Sequence, residues 1–260
     1  MNTRQSLPGP LSVRLAAGAG AVFFALFLGF AQLTSGSPSA TDSGWEIFGY
    51  VARHQDRLQL AAALMGIAMS AALVWLSGLF RALTKAEGGA PGLASVALGG
   101  GILAAAGTVS GAVALGTTAN RIADLGVDGT AVGWTMFLLS IGATLLGLLL
   151  VTGVTALVSL QRHLFARWFG WASVVLALLS LAGAVTIGYT AAGIQVVAGV
   201  AVLLDCVWIL LVSLFLWRDP ALALPVEIEP EGRSESLGSF SVAIGQHELS
   251  GTATSGRHRV

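Results

Sequence analysis

The 260-residue chain carries a carboxylate where one is costly to keep. Asp205 lies in an otherwise uncharged apolar run from Gly193 to Trp217, twelve residues from either end. Near the middle of a bilayer an ionised carboxylate costs about 2.5–3.5 kcal/mol on insertion scales. No Lys or Arg falls within an apolar run to pair with it. Two chemistries are therefore open to Asp205: relay of a proton or cation, or neutral packing held by hydrogen bonds. Helical spacing sets Ala198, Ala201, Trp208 and Ile209 on its face. The two alanines let another helix come close, so Asp205 is expected to point into a bundle. Its candidate partners are the hydroxyls of Thr108, Ser140, Thr144, Ser180 and Thr186. Gln195, ten residues earlier, falls about 80° away at about 100° per residue, on a neighbouring face.

Other chemistry is sparse. Lys85 is the single lysine and follows no phosphate-cradling glycine loop. Neither HExxH nor GxSxG occurs. His54, His163, His247 and His258 fall in different polar segments, and the one cysteine, Cys206, has no partner for a disulfide or a thiolate cluster. No catalytic residue, no metal ligand set and no cofactor is expected. Cys206 adjoins Asp205, but consecutive helical residues diverge by about 100° and do not act together.

The elements that position Asp205 follow from composition. Apolar residues make up 55% of the chain and charged residues 10%, with 34 Gly and a mean hydropathy of +0.82. Soluble domains carry about 25% charged residues, so too few remain to solvate a surface of this size. A soluble domain, a nucleic-acid binder and a disordered chain are excluded. Six stretches approach the roughly 20 apolar residues needed to cross about 30 Å of hydrocarbon: 15–34, 60–80, 93–118, 131–157, 170–188 and 193–217. The runs are continuous and too long for barrel strands. The fold expected is all-α, a polytopic membrane bundle of six transmembrane helices with a short external surface helix.

That surface helix is expected from Gly44 to about His54. Ser43 and Glu46 form a capping box ahead of it, and Trp45, Phe48 and Val51 are expected to share a face. Lys and Arg are distributed unevenly. Arg4, Arg14, Arg81, Lys85, Arg162, Arg167, Arg218, Arg233, Arg257 and Arg259 fall on one side, and Arg53, Arg57 and Arg121 on the other. By the positive-inside rule both termini are cytoplasmic, in a multi-pass plasma-membrane protein. Trp45, Trp134, Trp168, Trp171 and Trp217 lie near span ends, as interfacial aromatics do. The first run exceeds the roughly 7–15-residue core of a signal peptide, so it is expected to stay as a helix. The domains are then a cytoplasmic N-terminus over 1–14, the six-helix domain over 15–217, and a disordered cytoplasmic tail over 218–260. Pro220, Pro225, Pro230 and interleaved glutamates leave that tail little apolar area to bury.

In the third run, Gly100, Ala104, Thr108, Ala112 and Gly116 recur every four residues, with Gly107 and Gly111 on an adjoining stripe. Small residues let helix backbones touch, which is how helices associate in lipid. The third helix is expected to be the packing centre, contacted on two faces, with the first helix against it.

The layout resembles a group of six-span bacterial membrane proteins of the actinobacterial type, to which no activity is assigned. The resemblance rests on Ala52-Arg-His-Gln-Asp-Arg-Leu58, the Gly-rich third run and Phe165-Ala-Arg-Trp-Phe-Gly-Trp171, and covers about residues 14–218. It implies six helices, plasma-membrane residence and no assigned catalytic residues. The expected function is that of a non-enzymatic polytopic protein of structural or accessory role. The alternative is a small proton-coupled transporter or channel using Asp205. The expected partners are the lipid bilayer and other membrane proteins, with no nucleic acid.

Overall fold

A computed structural model describes residues 10–39, 41–90, 92–187 and 192–224, apart from the side chains of 10 and 192–195. Residues 1–9 and the expected tail from 225 onward fall outside these residues, whereas a helix already begins at Pro10 and Pro220–Ala223 forms a turn with Ala223 buried, so the bundle runs past both expected bounds, 14 and 218. The elements are α1 (Pro10–Leu33), α2 (Gly44–Arg53), α3 (Gln55–Ala86), α4 (Leu93–Asn120), α5 (Ile122–Arg162), α6 (Arg167–Thr186) and α7 (Ala192–Arg218), then a 3-10 turn over Pro220–Ala223. Six of these helices, α1 and α3 to α7, are long and apolar enough to cross a membrane. The protein is an all-α polytopic membrane bundle.

The six spans form a closed ring. Each packs on the next in chain order, and α7 returns to α1, while contacts across the ring are slight. The tightest seam joins α4 to α5. A Cβ added at Gly100 would lie 2.8 Å from the Gly147 carbonyl oxygen, and one added at Gly107 would lie 2.9 Å from the Thr144 amide nitrogen. From the other side, a Cβ at Gly147 would run into the backbone of Gly100 and Ala104. The seam therefore exists only because these positions lack side chains. Gly111 faces Ser140 in the same seam, and Gly116 faces the Ala62 methyl of α3. Ala104 and Ala112 are buried and Thr108 is half-buried. Helix α4 thus has α3 and α5 on two faces. The expectation that α1 lies against it is corrected, because α1 packs on α3 and α7 instead. Six helices in a ring give each span two main neighbours, and chain order assigns α4 to α3 and α5.

Helix α2 caps one end of the ring. Ser43 Oγ accepts from the Glu46 amide and Glu46 Oε2 accepts from the Ser43 amide, the reciprocal capping box. The face it buries is Ile47, Tyr50 and Val51, and Trp45 stands 72% exposed. Trp45 and Phe48 share a face as expected, their rings meeting edge-on at 6.3 Å, whereas Val51 is corrected onto the buried face, which packs in one cluster with Leu58 of α3. Trp134 is also corrected. It is buried, packs on Tyr50 and Phe137, and donates its Nε1 hydrogen to the Pro38 carbonyl at 3.3 Å. It anchors the Ser35–Ser39 segment rather than sitting at a lipid interface. Trp168, Trp171 and Trp217 are exposed near helix ends.

The connection between the third and fourth runs differs from the one expected. Between the third and fourth runs a single residue, Arg121, separates α4 from α5. The apparent loop is helical apart from Gly126, whose φ of 63° and ψ of −165° only glycine holds without strain. At the opposite end, the three Glu87 carboxylate contacts with the amides of Gly92, Leu93 and Ala94, at 3.0, 2.7 and 3.1 Å, satisfy free donors at the start of α4.

Candidate functional site

Asp205 is fully buried in the seam between α6 and α7. Of its five candidate partners the fold brings one: Ser180 Oγ and Asp205 Oδ2 lie 2.8 Å apart, at hydrogen-bond distance. The alanines do what their size allows. A Cβ added at Gly183 of α6 would lie 3.2 Å from Ala198 Cα and 3.3 Å from Ala201 Cβ, so the two helices nearly touch beside the carboxyl group. Asp205 Oδ1 has no hydrogen-bond partner among the described residues.

The Ser180 hydroxyl is also 3.0 Å from the Leu176 carbonyl oxygen, four residues back. A hydroxyl has one hydrogen and cannot donate to both oxygens. Both contacts are filled together when Asp205 carries a proton on Oδ2, donates it to Ser180 Oγ, and Ser180 donates onward to Leu176. The seam thus accommodates a neutral carboxyl group and offers no cation.

One turn further along α7, Trp208 Nε1 donates to Ser173 Oγ at 2.8 Å, and its ring stacks on Phe169 at 6.1 Å. Trp75 of α3 meets Trp208 edge-on at 6.0 Å. Helical spacing places Trp208 on the face of Asp205 but does not by itself supply the bond to Ser173. The signal was present: Ser173 and Ser180 are seven residues apart, two helical turns, so both face α7.

The remaining candidate hydroxyls lie elsewhere. Thr108 and Thr144 meet across the α4–α5 seam at 3.0 Å. Ser140 bonds the Phe137 carbonyl, and Thr186 the Gly183 carbonyl. Thr108, Ser140 and Thr144 share a different feature, a chamber of about 660 Å³ inside the ring. It runs from the Ser37–Ser39 segment beneath α2 to Trp75 and Ile209. Phe23, Phe27 and Phe30 of α1 form one wall, with their rings 6.2–6.3 Å apart in succession. Met65 and Met69 of α3 form another. From α7, Val202, Cys206 and Ile209 reach the chamber, whereas Asp205 turns away from it into the α6 seam. Among the described residues the chamber wall contains no ionisable side chain other than the thiol of Cys206.

The chamber escaped sequence reading because its aromatic stripe, Phe23, Phe27, Phe30 and Thr34, has the spacing of any lipid-facing helix surface. Residues of the expected packing ladder, Gly100, Ala104, Gly107, Thr108, Gly111, Ala112 and Gly116, lie at the α4 contacts with α5 and α3, and among them Ala104, Thr108 and Ala112 also border the chamber. Among the described residues no group of three or more His, Cys, Asp or Glu side chains converges as a metal site. No protein-family model, no curated protein and no solved structure matches the chain.

Proposed function

We propose that this membrane-embedded chain is a non-enzymatic plasma-membrane protein with cytoplasmic termini, acting as a structural or accessory component. The observation that carries the reading is the position of Asp205. It lies buried in a helix seam, bonded to Ser180, while the chamber passes along the other side of α7. A relay needs a polar path to the titrating group, and the groups nearest Asp205 are a hydroxyl and close-packed small residues. The distribution of Lys and Arg supports the orientation. The likeness to the six-span actinobacterial group supports plasma-membrane residence and brings no activity with it.

The test is Asp205→Asn in the full chain. In vesicles with an imposed pH gradient, the parent and the variant should show the same proton leak as empty vesicles. In cells, the Asn form should rescue any phenotype of deleting the protein. A gradient-dependent flux in the parent that the Asn form lacks would overturn the reading and restore proton transport through Asp205.

A further inference from the structure

The chamber wall has two chemical properties that together describe its occupant. First, its surface is built mainly from the rings and aliphatic chains of Phe23, Phe27, Met65, Met69, Leu76 and Val202. Second, its hydroxyls already donate to backbone carbonyls: Thr108 to Ala104 at 2.9 Å, Thr144 to Ser140 at 3.0 Å and Ser140 to Phe137 at 2.6 Å. Within the spans the wall therefore presents no free hydroxyl donor, since Thr34 likewise donates to Phe30, and Trp75 Nε1 is the N–H there left without a partner among the described residues. A volume of 660 Å³ equals about 20 water molecules at roughly 30 Å³ each. Water needs two to four polar partners apiece to occupy such a space, and apolar cavities stay dry. The volume also falls within the roughly 300–1,000 Å³ of small-molecule sites.

The chamber also has a side opening. Near the end away from α2, α1 and α7 close on each other: a Cβ on Gly18 would touch Trp217 at 3.9 Å, and one on Gly20 would strike Ser213 and Trp75. Towards the α2 end the flank of α7 is open. A Cβ on Gly199 meets nothing within 4 Å. Val196 and Leu203 line the chamber and yet are 63% and 46% exposed. Side chains that bound both the chamber and the outer surface mark a window. Val196 is the first residue of this apolar span and Leu203 lies about 10 Å further along it, so the window opens from the end of the span into its apolar length.

From the window and the wall together we propose that the chamber is a binding site for one acyl chain of a bilayer phospholipid, admitted sideways between α1 and α7. The chain threads past Leu203 and lies along Phe27, Met69 and Val202, with the headgroup left outside at the α2 end of the bundle. The methionines suit this occupant, because their unbranched, polarizable side chains repack around an irregular partner. The proposal goes beyond the accessory role and does not depend on Asp205.

The experiment uses the full chain in vesicles of phosphatidylcholine carrying a photoreactive diazirine in the middle of one acyl chain. After illumination, adducts are mapped by mass spectrometry. Adducts are expected on Phe27, Met69 or Val202. Gly199→Trp and Leu203→Trp obstruct the window and should each lower chamber adducts at least fivefold. Gly66→Trp, at an open position on α3 away from the chamber, should leave them unchanged. Melting temperatures in detergent show which variants remain folded, and if neither window variant does, the adduct map of the parent decides. Adducts confined to outward residues such as Val74 and Val113 would overturn the proposal. So would folded window variants that label like the parent, or a polyprenyl lipid or water-soluble molecule retained by the purified protein in place of an acyl lipid.

Discussion

Ser180 of α6 and Asp205 of α7 meet at 2.8 Å in a seam so narrow that a glycine, Gly183, is needed one turn away. The pair should be energetically coupled. Ser180→Ala leaves the buried carboxyl group without its partner and should cost about 1–3 kcal/mol. Asp205→Leu removes the polar group altogether. If the added bulk fits, the double variant should be less destabilised than the sum of the two singles. Unfolding in mild detergent, read by tryptophan fluorescence, closes the cycle. Strict additivity would mean that the hydrogen bond contributes nothing.

The α4–α5 seam should be the least tolerant of added bulk. Gly147→Leu and Gly107→Leu force backbones apart and should each cost about 1–3 kcal/mol or more. Gly66→Leu, where an added Cβ meets nothing within 4 Å, should stay within about 0.5 kcal/mol of the parent. Thermal melting of the purified variants ranks them. Equal melting temperatures for Gly147→Leu and Gly66→Leu would contradict the seam.

Glu87 should matter more than an exposed loop acid. Its carboxylate takes the first free amides of α4, so Glu87→Ala should cost about 0.5–2 kcal/mol, in the range of lost helix caps. Glu87→Gln retains acceptor oxygen and should recover part of the loss. Amide hydrogen exchange at residues 92–95 checks the location of the effect, which should be confined to the first turn of α4.

Tyr50 predicts a pH dependence. Burial pushes its hydroxyl up from the ordinary 10.0, and the positive charge of Arg57 pulls part of that shift back. The folded chain therefore holds the tyrosyl proton more tightly than the unfolded chain does. The resulting stability is fully present below pH 10 and is lost as pH rises through the raised value. Melting temperature should fall above about pH 10, and the fall should be shallower in Tyr50→Phe. At neutral pH that variant should be at least as stable as the parent, because the buried hydroxyl has no partner among the described residues. A steep loss at neutral pH would show that the hydroxyl has a bonding role.

Several features were legible in the residues themselves. Six apolar runs of bilayer length require helices, because a backbone in hydrocarbon must satisfy its own hydrogen bonds. Ser43 and Glu46 specify a helix start through contacts three residues apart. Asp205 stands out because a charge at that depth is rare whatever surrounds it. Tertiary structure decided what depends on which helices are neighbours. Ser180 rather than Thr108, Ser140 or Thr144 meets Asp205 because α6, and not α4 or α5, lies on that side of α7, and Thr186, at the far end of α6, bonds the Gly183 carbonyl instead. Trp134 turns inward because Pro38 offers a carbonyl there. The chamber belongs to no single segment. Phe23 and Phe27, Met69 and Val202 come from three helices, and periodicity shows an apolar face without showing whether it meets lipid, another helix or an enclosed space. Closure of α7 onto α1 settles that, and it is a long-range contact between the two ends of the bundle that no local pattern encodes.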